Sequence, residues 1–309
     1  MLSATLIPIV ILILLGFVLK QKQFVSEAFW QGSDRMVYYI FFPALLIAKV
    51  SSMDLSKVPM FDITAIIAIL LLSLTALLAL VQAIRPIPAA TFTSVYQGAV
   101  RYNTFIALTL VAATWSIPQA MDVAALTVGI KVLLINVLCV SVFALYLNKS
   151  VSISHKLLLV LKNPLIIACS LGLVLNTLGI ALPTWVLASL DLLGRVALTL
   201  GLLSVGAGLI LSFNDWLSYP ILLSVIFKLL LFPLAAFGLG HWFSLDTISH
   251  QVLVLMFAMP TAVSAYILAG QLGGDQRVMA KIITIQTLLS ALILAVVIAW
   301  IAGSTGLMA

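Results

Sequence analysis

The sequence predicts an all-α polytopic membrane protein of ten transmembrane helices, arranged as a 5+5 inverted repeat with helices four and nine discontinuous. Three observations predict it. Apolar residues make up 64% of 309 positions and charged residues only 8%, where a soluble domain of this size carries roughly a quarter. Apolar windows of membrane-spanning length recur along the whole chain. Two of these windows are interrupted by polar, glycine- or proline-containing segments that lie 156 residues apart.

The windows fall near 2–19, 35–52, 62–84, 92–115, 122–147, 160–179, 185–211, 217–241, 247–269 and 278–302. The first has no basic residues before it and no small-residue cleavage site after it, only Lys20 and Lys22, so it reads as a retained span rather than a signal peptide. Connections are short, and the longest polar break, Lys149 to Lys156, divides the chain into a first five-helix repeat (1–148) and a second (157–309). Alternating the loops across ten spans puts Lys20, Lys22, Arg35, Arg85, Lys149, Lys156, Lys162, Arg277 and Lys281 on one side and only Lys49 and Lys57 on the other. Basic loops stay in the cytoplasm, so both termini face outward, to the periplasm of a bacterial inner membrane. The net charge of +6 thus belongs to loops, and the partner it implies is a lipid bilayer, not nucleic acid. Cys139 and Cys169 lie inside apolar runs as small hydrophobes, with no spacing for a metal site or disulfide framework.

Shifting the chain by 156 residues carries Pro8 onto Pro164, Gly16 onto Gly172, and Asn103-Thr104 onto Met259-Pro260. A repeat of five spans forces the two halves into opposite orientations. Such inverted repeats place substrate sites at discontinuous helices near the midplane.

Phe41-Phe42-Pro43-Ala44-Leu45-Leu46, Arg101-Tyr102-Asn103-Thr104, Asn163-Pro164-Leu165-Ile166-Ile167, Gly206-Ala207-Gly208-Leu209, Met259-Pro260-Thr261-Ala262 and Ala269-Gly270-Gln271 resemble the auxin efflux carrier family over nearly the whole chain. With no long loop after span five, the chain looks like a bacterial member. The resemblance implies a fold similar to bile acid:sodium symporters. Spans one, two, six and seven form a scaffold, and spans three to five and eight to ten form a transport domain whose helices four and nine cross where they break. It also implies small carboxylates such as malate or malonate as substrates. Two departures stand out: no proline follows the span-four asparagine (Thr109 or a neighbour stands there), and Thr199 replaces a proline common in span seven.

Arg101, Lys131, Arg195 and Lys228 are the cations well inside apolar windows, whereas every carboxylate other than Asp191 lies in a loop or at a span end. Asp191 stands one turn before Arg195, so the two are expected to pair. Arg101 cannot deprotonate. It either grips an anion with its guanidinium fork or snorkels to the nearby cytoplasmic end. Lys131 and Lys228 either pack with snorkelling heads, lose their charge, or contact substrate with a charge or coupling role. Asn103 and Thr104, with Thr261 and Ser264 across the break at Pro260, are candidate hydrogen-bonding partners of a substrate, helped by an exposed half-helix end. Pro260 by itself is equally a plain kink. Pro43, with Phe41 and Phe42, forms either an apolar wall of the site or ordinary packing. Asn136 needs an interhelical partner. Gly270, Gly273 and Gly274 end span nine, since no nucleotide-binding context surrounds them.

These residues point to a secondary transporter of small organic anions, mono- or dicarboxylates, working by alternating access. The alternatives are a membrane sensor that binds the same ligand, or an intramembrane enzyme, for which no nucleophile–base set or metal ligands occur. No cofactor is expected. Coupling to protons through a lysine, to sodium through hydroxyls and carbonyls, or to neither stays open, as does homodimer formation.

Overall fold

The computed structural model describes residues 2–53, 58–147, 162, 164–209, 218–262 and 264–304, and over these all regular structure is helical. Asp54, Lys57, Lys149, Lys156, Asn163, Asp215, Val263 and the boundary between the two repeats lie outside the described residues, as do the side chains of Ser264 and Gln271. Helix α1 spans Leu2–Gln21. Helix α2 (Glu27–Met36) continues through a π-helical turn (Val37–Phe41) into α3 (Phe42–Ser51). Then come α4 (Met60–Ile84), α5 (Ala89–Val100), α6 (Thr104–Thr114) and α7 (Pro118–Tyr146). The second half holds α8 (Pro164–Thr177), α9 (Thr184–Ala207), and α10 (Tyr219–Ile226), joined by a π turn (Phe227–Leu231) to α11 (Phe232–Trp242). It ends with α12 (Thr247–Phe257), α13 (Ser264–Leu272) and α14 (Gln276–Ser304).

Prolines set many of these starts. Pro59, Pro88 and Pro183 stand at N-caps, and Pro118 and Pro164 open their helices, where the missing N–H costs nothing. Inside a helix, proline loses a bond and crowds the carbonyl one turn back. Pro43 and Pro233 are absorbed by the π turns before them, in which the Phe42 N–H reaches Val37 O and the Phe232 N–H reaches Phe227 O. Gly273, at φ 87°, ends α13, and the Gly274 N–H returns to Ala269 O at 2.7 Å, the expected end of this segment.

Among the described residues, five helical segments are long and apolar enough to cross a membrane: Met60–Ile84, Pro118–Tyr146, Thr184–Ala207, Tyr219–Trp242 and Gln276–Gly303. The windows at 92–115 and 247–269 are each divided into two helices, as their polar interruptions predict. The chain is a multi-pass helical membrane protein.

The helices pack in matched pairs. Helix α1 lies along α9 through Gly16 and Gly206, so close that a Cβ on either glycine would collide with a carbonyl oxygen of the other helix (Leu203 O and Ile13 O). Helix α8 lies along α3 through Gly172, where a Cβ would stand 2.8 Å from Val50 Cβ. Helix α9 also packs on α3, α5 packs on α14, and α12 packs on α7. At the end of α3, Asn176 Nδ2 faces the carbonyls of Val50, Ser51 and Met53 at 3.2, 3.1 and 2.6 Å. It serves carbonyls that the helix end leaves without partners.

One expected pair is corrected. Asp191 does not pair with Arg195, because its carboxylate meets Lys49 of α3 at 3.0 Å. The face of α9 that carries Asp191 packs on α3, while Arg195 points outward and is exposed. Thr199 bonds back to Arg195 O at 3.2 Å, so α9 runs on unbroken where a proline would have interrupted it.

Gly16→Ala and Gly206→Ala are each expected to lower the melting temperature in detergent by about 3–10 °C, from an overpacking cost of roughly 1–3 kcal/mol. Gly32→Ala, where a Cβ meets nothing within 4 Å, is expected to leave it unchanged or slightly raised. A thermal unfolding series on the three variants checks this.

Candidate functional site: the helix crossing and its cavity

The first break follows from Asn103. Arg101 (ψ 155°) and Asn103 (ψ 99°) are extended, and Asn103 Oδ1 accepts from the N–H groups of Phe105 and Ile106 at 3.0 and 3.2 Å. That is an N-cap, and it restarts the helix as α6. The second break follows from Pro260, which has no N–H and keeps its predecessor out of the helical region, so α12 stops at Phe257. The two breaks touch directly, because the Asn103 N–H donates to Pro260 O at 2.7 Å.

Three further side chains close the crossing. Gln286, fully buried on α14, accepts from the Thr261 N–H at 3.0 Å. Its amide nitrogen donates to Gly98 O at 3.0 Å and lies 3.1 Å from Ser224 Oγ. The Thr261 hydroxyl, with one proton, sits 2.5 Å from Gly98 O and 2.7 Å from Gln286 Oε1. Backbone groups at both breaks, the N–H groups of Asn103, Phe105, Ile106 and Thr261 and the carbonyls of Gly98 and Pro260, are thereby paired within the protein, as a site remote from water favours.

Beside the crossing lies a cavity of about 520 Å³. One wall comes from α2, its π turn and the start of α3, with Gln31, Asp34, Arg35, Tyr38, Tyr39 and Phe42; the facing wall carries Arg101, Tyr102, Thr104, Phe105 and Asn136. Arg101 is half-buried. Its Nη2 donates to Asn136 Oδ1 at 2.8 Å, its Nε is buried without a partner among the described residues, and the Cys139 thiol lies against the guanidinium. Asn136 thus finds the interhelical partner it was expected to need, and that partner is the candidate anion-binding cation.

The structure therefore divides the candidate residues. Arg101, Thr104 and Asn136 line the cavity, whereas Asn103, Pro260 and Thr261 lie behind it in the crossing. The Asn103 oxygen is occupied by the cap, and its Nδ2 is buried without a partner among the described residues, so the N–H groups of Phe105 and Ile106 are not free for a ligand. Pro43 stands behind Phe42, the residue that reaches the cavity. Ser264 opens α13. Lys131 and Lys228 do not snorkel: both are fully buried and absent from the cavity wall. Reasoning from sequence missed Gln286 and Ser224, whose only signal is a lone amide or hydroxyl in an apolar window. It also missed Gln31, Asp34 and Arg35, which read as span-end polarity.

Residues 149–298 match a family described as membrane transport proteins, which includes auxin efflux carrier-like proteins. Over that half the chain is similar to membrane transporters. The matched stretch runs from before α8 through most of α14 and contains the Pro260 break and Gln286. It supports a transporter rather than an enzyme. No curated protein matches the chain.

Gln286→Leu leaves the Thr261 N–H and Gly98 O short of partners. It is expected to lower the melting temperature by about 3–10 °C, from roughly 1–3 kcal/mol for stranded buried groups. Thr261→Val is expected to lower it as well. The double variant is expected to lose less than the sum, read by thermal unfolding of all three proteins.

Proposed function

We propose that the chain is a secondary transporter of the auxin efflux carrier type. It moves small organic anions, mono- or dicarboxylates such as malate or malonate, by alternating access. It does so across a bacterial inner membrane with both termini on the periplasmic side. The observation that carries this reading is the placement of Arg101: a permanently charged fork at a helix break, steadied by Asn136, on the wall of a 520 Å³ cavity. Unpaired cations at membrane depth are costly and mark ligand pathways, and a guanidinium grips a carboxylate at two points.

The packing supports a ten-span, inverted-repeat plan. Pairing of α1 with α9 and of α8 with α3 exchanges under the 156-residue shift, as does pairing of α5 with α14 and of α12 with α7. On this reading α1 to α3, α8 and α9 form the scaffold, and the remaining helices form the transport domain. The cavity then lies between the two bodies. Phe42, Leu165 and Ser204 come from one, and Arg101, Thr104, Asn136 and Ala262 from the other. A substrate held there moves when one body shifts against the other, and the crossing moves with the transport domain as a unit.

The test is thermal stabilisation of the purified protein by acetate, lactate, malonate and malate. At least one is expected to raise the melting temperature of the wild type. Arg101→Ala is expected to weaken that ligand about 10- to 100-fold, the loss of a charge-assisted contact of roughly 1.5–3 kcal/mol. Arg101→Lys, which keeps charge but not the fork, is expected to fall between. If no carboxylate stabilises the wild type, or Arg101→Ala responds as the wild type does, the anion reading fails. A ligand that passes is then followed into liposomes by flux.

A further inference from the structure

Lys131 of α7 is fully buried and does not itself line the cavity. Its Nζ donates to Met256 O at 2.9 Å and stands 3.8 Å from the ring centroids of both Tyr102 and Phe257. The Met256 carbonyl is available for a specific reason. Its helical acceptor role calls for the N–H four residues on, and that residue is Pro260, which has none. It also lies in the last turn of the half-helix α12, the negative end of the helix dipole. Tyr102 comes from the other break. One ammonium group therefore meets a carbonyl and a ring from the α12 side and a ring from the α5–α6 side.

A carbonyl at the end of a broken helix, flanked by aromatic faces, is a place that attracts a desolvated cation. We propose that Lys131 is a resident cation filling that place, so that the crossing is complete without an inorganic ion and does not require sodium. Lys228, also fully buried, has no hydrogen-bonding partner among the described residues, and its Nζ lies 5.9 Å from the same Tyr102 ring. An added mobile cation would have to share the Tyr102 face and the Met256 carbonyl with the amine already there. The consequence for ion coupling rests on the transport reading, but the occupancy of the place does not.

The test uses the full-length protein in detergent and needs no substrate. Melting temperatures are compared in choline chloride, sodium chloride and methylammonium chloride at equal concentration. The wild type is expected to melt alike in all three. Lys131→Ala is expected to melt lower in choline and to regain about 3 °C or more, saturably, in methylammonium, which refills the vacated position. Lys131→Met, which fills the space without a charge, is expected to gain nothing. Saturable stabilisation of the wild type by sodium overturns the proposal, and so does a Lys131→Ala response to methylammonium no larger than that of the wild type. If Lys131→Ala does not fold, the wild-type sodium comparison decides alone. Failure of carboxylate binding at Arg101 is read in a separate assay and leaves this result standing.

Discussion

A backbone N–H or C=O left unpaired within a bilayer costs several kcal/mol, and this chain breaks two helices inside its packed interior. Everything at the centre follows from how those freed groups are satisfied. The bond from the Asn103 N–H to Pro260 O makes each break the partner of the other, so neither segment is stable in this form alone. Gln286 completes the arrangement from a third helix by serving Thr261 and Gly98 together. The crossing is thus one cooperative polar unit inside apolar packing. Fully satisfied, such a unit specifies one arrangement; partly satisfied, it would be worse than an apolar core.

That constraint decides which polar groups remain for a ligand. Asn103, Thr261 and Gln286 would look like ideal substrate contacts in a list of polar residues near the breaks, yet the Asn103 oxygen is taken by the helix cap, and Thr261 and Gln286 are taken by backbone groups and by each other. Arg101 escapes because its side chain leaves the crossing toward α7 and the cavity. Its position at the C-terminal end of α5 also suits a cation, since carbonyls end the half-helix there. Asn136 takes one of its five donors, the Cys139 thiol lies against the guanidinium and Nε is buried, so only part of the fork can face the cavity.

Much of the architecture was legible because its causes are local. Apolar windows, prolines at helix starts and polar interruptions are read one residue at a time, and the breaks at Asn103 and Pro260 fall where those signals put them. Long-range pairing was not legible. Asp191 stands one turn from Arg195, and helical spacing favours that pair. Which face of α9 packs on α3 decides instead for Lys49, and no local pattern encodes that choice. Gln286 was hidden for the same reason: a lone amide in an apolar helix announces a need for partners without saying which. Asn136 posed the same question, and only the fold supplied Arg101 as the answer.

Tyr102 links the two halves of the problem. It touches the cavity, it lies in the first break, and its ring faces Lys131 and Lys228 behind the crossing. Its side chain therefore belongs at once to the cavity wall and to the packing around the buried lysines. Among the described residues no carboxylate is ion-paired to these lysines; Lys131 is held instead by the Met256 carbonyl and the faces of Tyr102 and Phe257. Cavity and crossing are thus coupled through one ring, because a shift of Tyr102 on the cavity side also changes the face presented to Lys131.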